Sequence, residues 1–309
     1  MQIRNFQPAD LEYFIEICRL GSIAQAAIQL GVTQPALSKA VRRLEHIAGA
    51  RLLDRTARGV SPTDMGQILL RRASLILSEL EATRSLLQEM SGVRTGSVAL
   101  GVAPTLNHGF MPDVIQQALQ QRPGLHLRIS EGLFQTLMPQ LRQSELDFII
   151  SSPTTAETLA ADLSCEPLGG SLFVACVGAG HPLAKTNAID DAGLAVHDWV
   201  LAPPRGVLRG HLDALFRQRG LSPPQPRVET SSPALSKTLI MRQGFIGFLP
   251  QEVFAAEEQA GLIARLAPSW LHWRRELMLV SRRSRTPPPA AEYLMALIRQ
   301  EARARITQA

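Results

Sequence analysis

Near the start of this chain, three short helical patterns follow one another, each closed by a glycine. Leu11, Phe14, Ile15 and Cys18 recur at i, i+3, i+4 and i+7, the spacing of one buried helix face, and Gly21 follows. Ser22 is an N-cap for the next stretch, where Ile23, Ala26, Ala27 and Leu30 repeat the spacing before Gly31. Thr33 then caps a third stretch, with Pro35 in its first turn, Leu37, Val41 and Leu44 on its buried face, and Gly49 after its end. The small pair Ala26 and Ala27 permits a close helix contact, so the second and third stretches read as a helix-turn-helix.

The third helix is informative on its other side. Gln34, Ser38 and Arg42 lie at i, i+4 and i+8 and form one outward stripe, flanked by Lys39 and Arg43. Between Gly31 and Gly59 there are six basic residues against two acidic ones. An amide, a hydroxyl and cations are the groups that read base edges and hold phosphates. On a lone helix such a face is ordinary solvated surface; behind a tight helix-turn-helix it reads as a DNA-reading face. A formal net charge of +5 over 309 residues suits a polyanionic partner.

The run from Gly21 to Ala27, then Leu30 to Ser38, Leu44–Glu45, Gly49, Leu52 to Arg55 and Thr63 to Gly66 resembles the LysR-type transcriptional regulators in order and spacing. The resemblance implies an all-α winged helix-turn-helix over residues 1–62 that binds double-stranded promoter DNA. Gln34, Pro35 and Ser38 would lie against base edges, with Lys39 and Arg42 as phosphate contacts or further readers and Ser22 beside them. Residues 54–61 would form the wing, with Arg58 reaching into the minor groove and Arg55 a backbone contact or an ion-pair partner of Asp54. Leu53 stands where the family usually has Phe and keeps an apolar anchor for the wing.

Residues 63–92 read as one long helix capped by Thr63. Leu69, Ala73, Ile76, Leu80, Thr83, Leu87 and Met90 alternate by four and three, a heptad seam that predicts a dimer, and the family dimerises through this helix. The alternative is that the helix packs on its own C-terminal region.

From Thr95 the pattern changes to strands alternating with helices. Strands are expected at 97–103, around Leu125, Leu127 and Ile129, and at 146–150, separated by helices near 110–121 and 133–142. A second set is expected at 172–177, 199–202, 228–230 and 245–249, then a late strand at 276–280 and a terminal helix at 289–306. This is an α/β region with open parallel sheets. Two such halves resemble the type 2 periplasmic-binding fold that LysR-type proteins carry. They imply an effector domain over 93–309, with lobe I at 93–166 and 268–309 and lobe II at 167–267. Leu146 to Ile150, Glu166 to Leu168, His181 to Ala184 and Gly244 to Pro250 carry that part of the resemblance.

Ligands of such sheets bind at the carboxyl ends of strands, where helix N-termini favour anions. Four junctions qualify: Thr105, Leu106 and Asn107; Gly132, Leu133 and Phe134; Arg205; and Ser231 with Ser232. Thr105 matches the hydroxyl contact of the family, whereas Leu133 replaces a hydroxyl common there. Hydroxyls, two helix N-termini and one guanidinium favour a small organic acid, and Leu133 and Phe134 make one wall apolar. Each hydroxyl is equally readable as a simple helix cap.

No G-x-S-x-G, H-E-x-x-H, P-loop or full dinucleotide fingerprint is present, so neither a catalytic set nor a cofactor or metal is expected. His181, in a turn before Pro182, reads as structural. Cys18, Cys165 and Cys176 read as buried thiols, with a redox pair of Cys165 and Cys176 as the alternative. The uncharged stretch 167–184 is broken by glycines and two prolines and cannot form a membrane helix. A cytoplasmic regulator is expected, working as a dimer or dimer of dimers, with RNA polymerase a candidate partner. An enzyme on the same fold and a DNA-binding protein with a dead pocket are the competing readings.

Overall fold

The computed structural model describes residues 6–56, 59–90, 95–108, 110–153, 160–186, 189, 191, 193–204, 207–283 and 285–306. Its first three helices are α1 (Pro8–Leu20), α2 (Ile23–Leu30) and α3 (Gln34–Ala48), and Gly21, Gly31 and Gly49 close them in left-handed backbone. Leu11, Phe14, Ile17, Leu37, Leu44 and Leu52 form a fully buried core between them. Strands β1 (Leu53–Thr56) and β2 (Gly59–Pro62) pair antiparallel, Thr56 opposite Gly59. Leu53 is buried in the same core, so the apolar anchor of the wing is in place. The wing is held to the first turn of the domain by the Val60 amide, which donates to Gly21 O at 2.8 Å.

Helix α4 (Asp64–Met90) follows, 27 residues and so about 40 Å long. Thr63 caps it, accepting from the Gly66 amide at 3.0 Å while donating to Arg51 O at 2.8 Å. A Cβ on Gly66 would stand 2.1 Å from Leu52 O, so only glycine lets the helix pass this close to the strand entry. The expected seam divides here. Ala73 is buried and Leu69 half-buried against the helix-turn-helix core, together with Leu70 and Leu77. Met65, Ile68, Ile76, Leu80 and Leu87 are exposed, from 45% at Ile76 to 63% at Leu87. The first two seam positions therefore belong to the chain's own core, because α1 packs on α4. Met90 has a side chain outside the described part.

The rest of the chain forms one nine-stranded mixed sheet in the order β4-β3-β5-β11-β6-β9-β7-β8, with β10 on β6. One half holds β3 (Thr95–Val102), α5 (Phe110–Gln121), β4 (Gly124–Glu131), α6 (Phe134–Arg142) and β5 (Phe148–Ser151). The other holds β7 (Trp199–Leu201), α7 (Val207–Gln218), β8 (Pro226–Glu229), α8 (Pro233–Gln243), β9 (Ile246–Pro250), α9 (Gln251–Gln259) and β10 (Ile263–Arg265). Strands β6 (Leu163–Gly178) and β11 (His272–Arg282) run through both halves, and α10 (Pro289–Ile306) closes the first.

Alternation along the strands sends side chains to two layers of helices. Val98, Leu100 and Val102 point to α5 and α10, while Ala99 and Ile149 face α6. In the second half Phe173, Ala175 and Val177 face α7, and Val174 and Cys176 face α8 and α9. Parallel pairing holds within each half, β3 with β4 and β5, and β7 with β8 and β9. The connecting strands β6 and β11 pair antiparallel with each other, as do β11 with β5 and β6 with β9, which the expected all-parallel sheets did not contain. Both connecting strands are longer than the sequence suggested, since Pro167, Gly169 and Gly170 read as a break. They are instead the crossing point. The register of β6 on β11 shifts there, with Leu277 opposite Gly169 and Met278 opposite Pro167, so Leu168 is the extra residue of a bulge. Gly169 has φ 129, a backbone that disfavours any side chain.

Candidate functional site

The outward face of α3 is assembled by local signals. Thr33 Oγ1 accepts from the Ala36 amide at 3.4 Å and Ser22 Oγ from the Gln25 amide at 3.3 Å, so both helices start where hydroxyls satisfy free amides. Gln34, Pro35, Lys39 and Arg42 are exposed, and Ser38 is half-buried. Arg43 leaves the stripe. It grips the carboxylate of Asp10 on α1 with two hydrogen bonds, one of 2.8 Å from Nε. Asp10 is 1% exposed, so this pair fixes the angle of α3 against α1, and the bonds raise the Arg43 pKa. Glu45 works similarly, accepting from the Leu52 amide at 3.0 Å and holding the entry to the wing. Arg58 and the side chain of Arg55 lie outside the described residues, so the wing's basic contacts are not placed.

The effector junctions that can be placed sort into the two halves, Thr105 and Gly132–Phe134 in the first and Ser231–Ser232 in the second. In the first, Gly132 N–H donates to Val102 O at 3.1 Å, joining the ends of β3 and β4, and Asn107 Nδ2 donates to the Glu131 carboxylate. Thr105 stands in a short 3-10 turn, Pro104–His108, and not at a helix start; α5 begins only at Phe110. Leu133 occupies the N-cap of α6 without a capping side chain and is 55% exposed, while Phe134 beside it is buried. In the second half the Thr230 amide donates to Leu201 O at 3.0 Å, bringing the ends of β7 and β8 together. Ser232 caps α8 and accepts from the Leu235 amide at 3.3 Å; Ser231 is exposed. Arg205 lies outside the described residues.

Across the junction the Pro104–His108 turn packs against α9 of the other half. There Lys237 Nζ pairs with Glu257 at 2.6 Å and donates to Val253 O at 3.3 Å, both side chains about four-fifths buried. Burial and then the Lys237 charge lower the pKa of His108, so the two halves share an electrostatic environment at this point. Sequence reading missed Lys237, Glu257 and His108. Only the pairing of α8 with α9 brings the first two together, and nothing in either helix's own pattern marks them.

Other candidates resolve plainly. His181 Nδ1 accepts from the Leu183 amide at 3.1 Å and caps a turn, a structural role. Cys165 and Cys176 lie on one strand, eleven residues apart, hence roughly 36 Å at strand rise, far beyond disulfide reach. Burial raises the thiol pKa of both, and pushes that of Cys18 up to about 12, so none is a poised thiolate. Among the described residues no group of three metal-ligating side chains occurs, and no helix is long and apolar enough to cross a membrane.

Comparison with known proteins gives the class. The family model of the bacterial regulatory helix-turn-helix proteins of the lysR family matches residues 8–67, and that of the LysR substrate binding domain matches 91–303. The chain therefore belongs to the LysR family: it is a DNA-binding transcriptional regulator with an effector-binding domain, not an enzyme. Among its relatives, the HTH-type transcriptional regulator GalR of Pseudomonas putida is 31% identical over 96% of this chain and 74% of its own length. The regulator PcaQ of Agrobacterium fabrum is 30% identical over 94% of each. The fold matches full-length OxyR from Pseudomonas aeruginosa with a TM-score of 0.70 at 23% identity, covering 96% of this chain and 95% of that one. It also matches CbnR complexed with its target DNA, with a TM-score of 0.67 at 19% identity, covering 96% and 100%.

Proposed function

We propose that this regulator binds a two-fold symmetric operator as a dimer or dimer of dimers, and changes its DNA geometry when a small organic acid enters the junction between the lobes. The observation that carries the DNA part is α3. Gln34, Pro35, Lys39 and Arg42 form one exposed stripe on a helix locked from behind by the Asp10–Arg43 pair. Gln34, Pro35 and Ser38 read bases, Lys39 and Arg42 hold phosphates, and Ser22, Arg55 and Arg58 complete the footprint. Residues 1–62 form the DNA-binding domain, 63–92 the dimer helix and 93–309 the effector domain, its lobes meeting at the bulge around Leu168. The exposed Ile76, Leu80 and Leu87 supply the dimer stripe. RNA polymerase is the further partner of a regulator acting at promoters, in the cytoplasm.

The effector reading rests on Thr105 and the Ser232-capped start of α8 in opposite lobes, with the Lys237–Glu257 pair near the Pro104–His108 turn. Leu133 and Phe134 line the apolar side. LysG of Corynebacterium glutamicum, which shares the fold at 19% identity and a TM-score of 0.63, holds arginine as its effector. Footprinting on the intergenic DNA beside the protein's own gene, with organic acids, sugars and amines added in turn, tests the proposal. An organic acid should change the protected pattern. A pattern that no acid alters, or one altered only by amines or uncharged sugars, overturns the effector assignment while leaving the DNA reading intact.

A further inference from the structure

Just past the end of β11, Arg285 reaches out of lobe I and grips the middle of α4. Its Nη2 donates to Ser78 O at 2.6 Å and its Nη1 to Ser78 Oγ, across 207 residues of chain. Both donors belong to one planar fork, so the two bonds fix direction as well as distance. A carbonyl has a second lone pair, so Ser78 O takes the guanidinium without giving up its place in the helix. The Arg285 side chain is 10% exposed, and the Glu79 carboxylate lies 3.4 Å from its Nε. Glu79 is 69% exposed, so water screens that pair and the Ser78 bonds carry the grip.

The arm that holds Arg285 is short and braced. β11 ends at Arg282 and α10 begins at Pro289, and the rings of Pro287, Pro288 and Pro289 lock three successive φ angles. At the root of the arm Arg282, 7% exposed, donates through Nη1 to the hydroxyl of Ser144. The next residue, Glu145, accepts on its carbonyl from Arg128 Nη2 at 2.9 Å. Its carboxylate acts on the end of α1, since Glu16 and then Glu145, through space, raise the pKa of Arg19. Helix α4 also packs on α10. Leu77, beside Ser78, belongs to the helix-turn-helix core, so that domain and α4 are one body up to the point of the grip.

We propose that Arg285 is the positioning residue that sets the angle between lobe I and α4, and with it the angle at which the DNA-binding domain meets the operator. Ser78 lies twelve residues before Met90, hence about 18 Å from that end of the helix, while the Asp64 end is about 39 Å from it. Pivoting at Met90, a slip of about 2 Å at Ser78 carries the start of α4 and the domain packed on it by about 4 Å. The grip lies outside both the effector junction and the DNA-reading face, and the angle it sets does not depend on which effector binds.

Spin labels carried by unnatural amino acids at the exposed positions Gln29 on α2 and His126 on β4 report this angle. Labelled full-length chains are diluted into unlabelled ones, so that pulsed electron resonance reads distances within one chain. The natural protein should give one narrow distance. Arg285→Met, which keeps the stem and removes the donors, should broaden the distribution and shift its mean by about 4 Å. Ser78→Ala, which leaves the carbonyl, should shift it less. If Arg285→Met does not fold, Arg285→Lys, which keeps the charge and loses the fork, is read in its place. Distributions like that of the natural chain in these variants overturn the assignment. DNA bending, measured on circularly permuted fragments of the intergenic DNA beside the gene, gives a readout that a merely structural arginine would not move. Operator affinity of the Arg285 variant should stay within about threefold, since no base or phosphate contact is touched, while the bend angle changes. An unchanged bend overturns the positioning role.

Discussion

Helix α3 and the junction between the lobes both offer hydroxyls, an amide and cations, yet they acquire them in different ways. Every group on α3 comes from nine consecutive residues, 34–42, and its direction follows from helical spacing alone once Thr33 and Gly49 set the ends. The junction collects Thr105, Leu133, Ser232, Lys237 and Glu257 from four separate elements, whose meeting depends on the order of strands in the sheet. A contiguous site survives small shifts of the surrounding fold. A site assembled across two lobes is moved by them, and on the proposed reading this would let it sense a ligand.

The largest effect tests whether the DNA-reading region is complete in one chain. Leu80→Glu places a charge in the exposed stripe of α4 and should dissociate the dimer and abolish operator binding while both domains stay folded. Sedimentation showing a dimer like that of the natural protein would move the interface elsewhere.

The next separates reading from support on α3. Arg43→Ala strands the Asp10 carboxylate, only 1% exposed, and should cost roughly 3–5 kcal/mol of stability. Asp10→Ala should cost less, since Arg43, 39% exposed, can return to water. Denaturant melts would check the order, and equal or reversed costs would mean the pair does not hold α3. Gln34→Ala should leave the melt unchanged and lose about 1–3 kcal/mol on the correct operator alone. Arg42→Ala should weaken binding to all sequences and flatten its salt dependence. Discrimination unaltered by Gln34→Ala would misplace the recognition helix.

At the junction the expected effects are smaller. Thr105→Val should cost roughly 1–2 kcal/mol of effector affinity with little change in volume. Lys237→Met should weaken an acidic effector more than a neutral analogue, and calorimetry would compare the two. Indifference of both variants would remove the acid-binding assignment. The smallest effect is on pH. Burial lowers the pKa of His108, His181, His211 and His272 below the ordinary 6.5. The unfolded chain therefore takes up protons more readily, so stability is full above pH 6.5 and declines as the pH falls below it. A melting temperature that stayed flat or rose between pH 7 and 5 would contradict this.

Much of the architecture was legible before any fold was known. Helices α1 to α3, the length of α4 and the ranges of α5 and α10 follow from caps, glycines and apolar spacing, all set by near neighbours in the chain, whereas the two-lobed plan came from the family resemblance. That Gln34, Lys39 and Arg42 share an outward face of α3 was legible from the same local spacing. What sequence alone could not decide depends on partners far away in the chain. Pro167, Gly169 and Gly170 look like punctuation, and only pairing with β11 makes them a bulge within a strand that joins the lobes. Leu69 and Ala73 share the period of Leu80 and Leu87, and only the packing of α1 on α4 buries Ala73 and half-buries Leu69 while leaving the second pair exposed. Arg43 is one more cation on a basic helix until Asp10, 33 residues earlier, takes it. Local propensity fixes where elements begin and which way their side chains turn, whereas the choice of partner is a contest among long-range contacts that the folded chain alone decides.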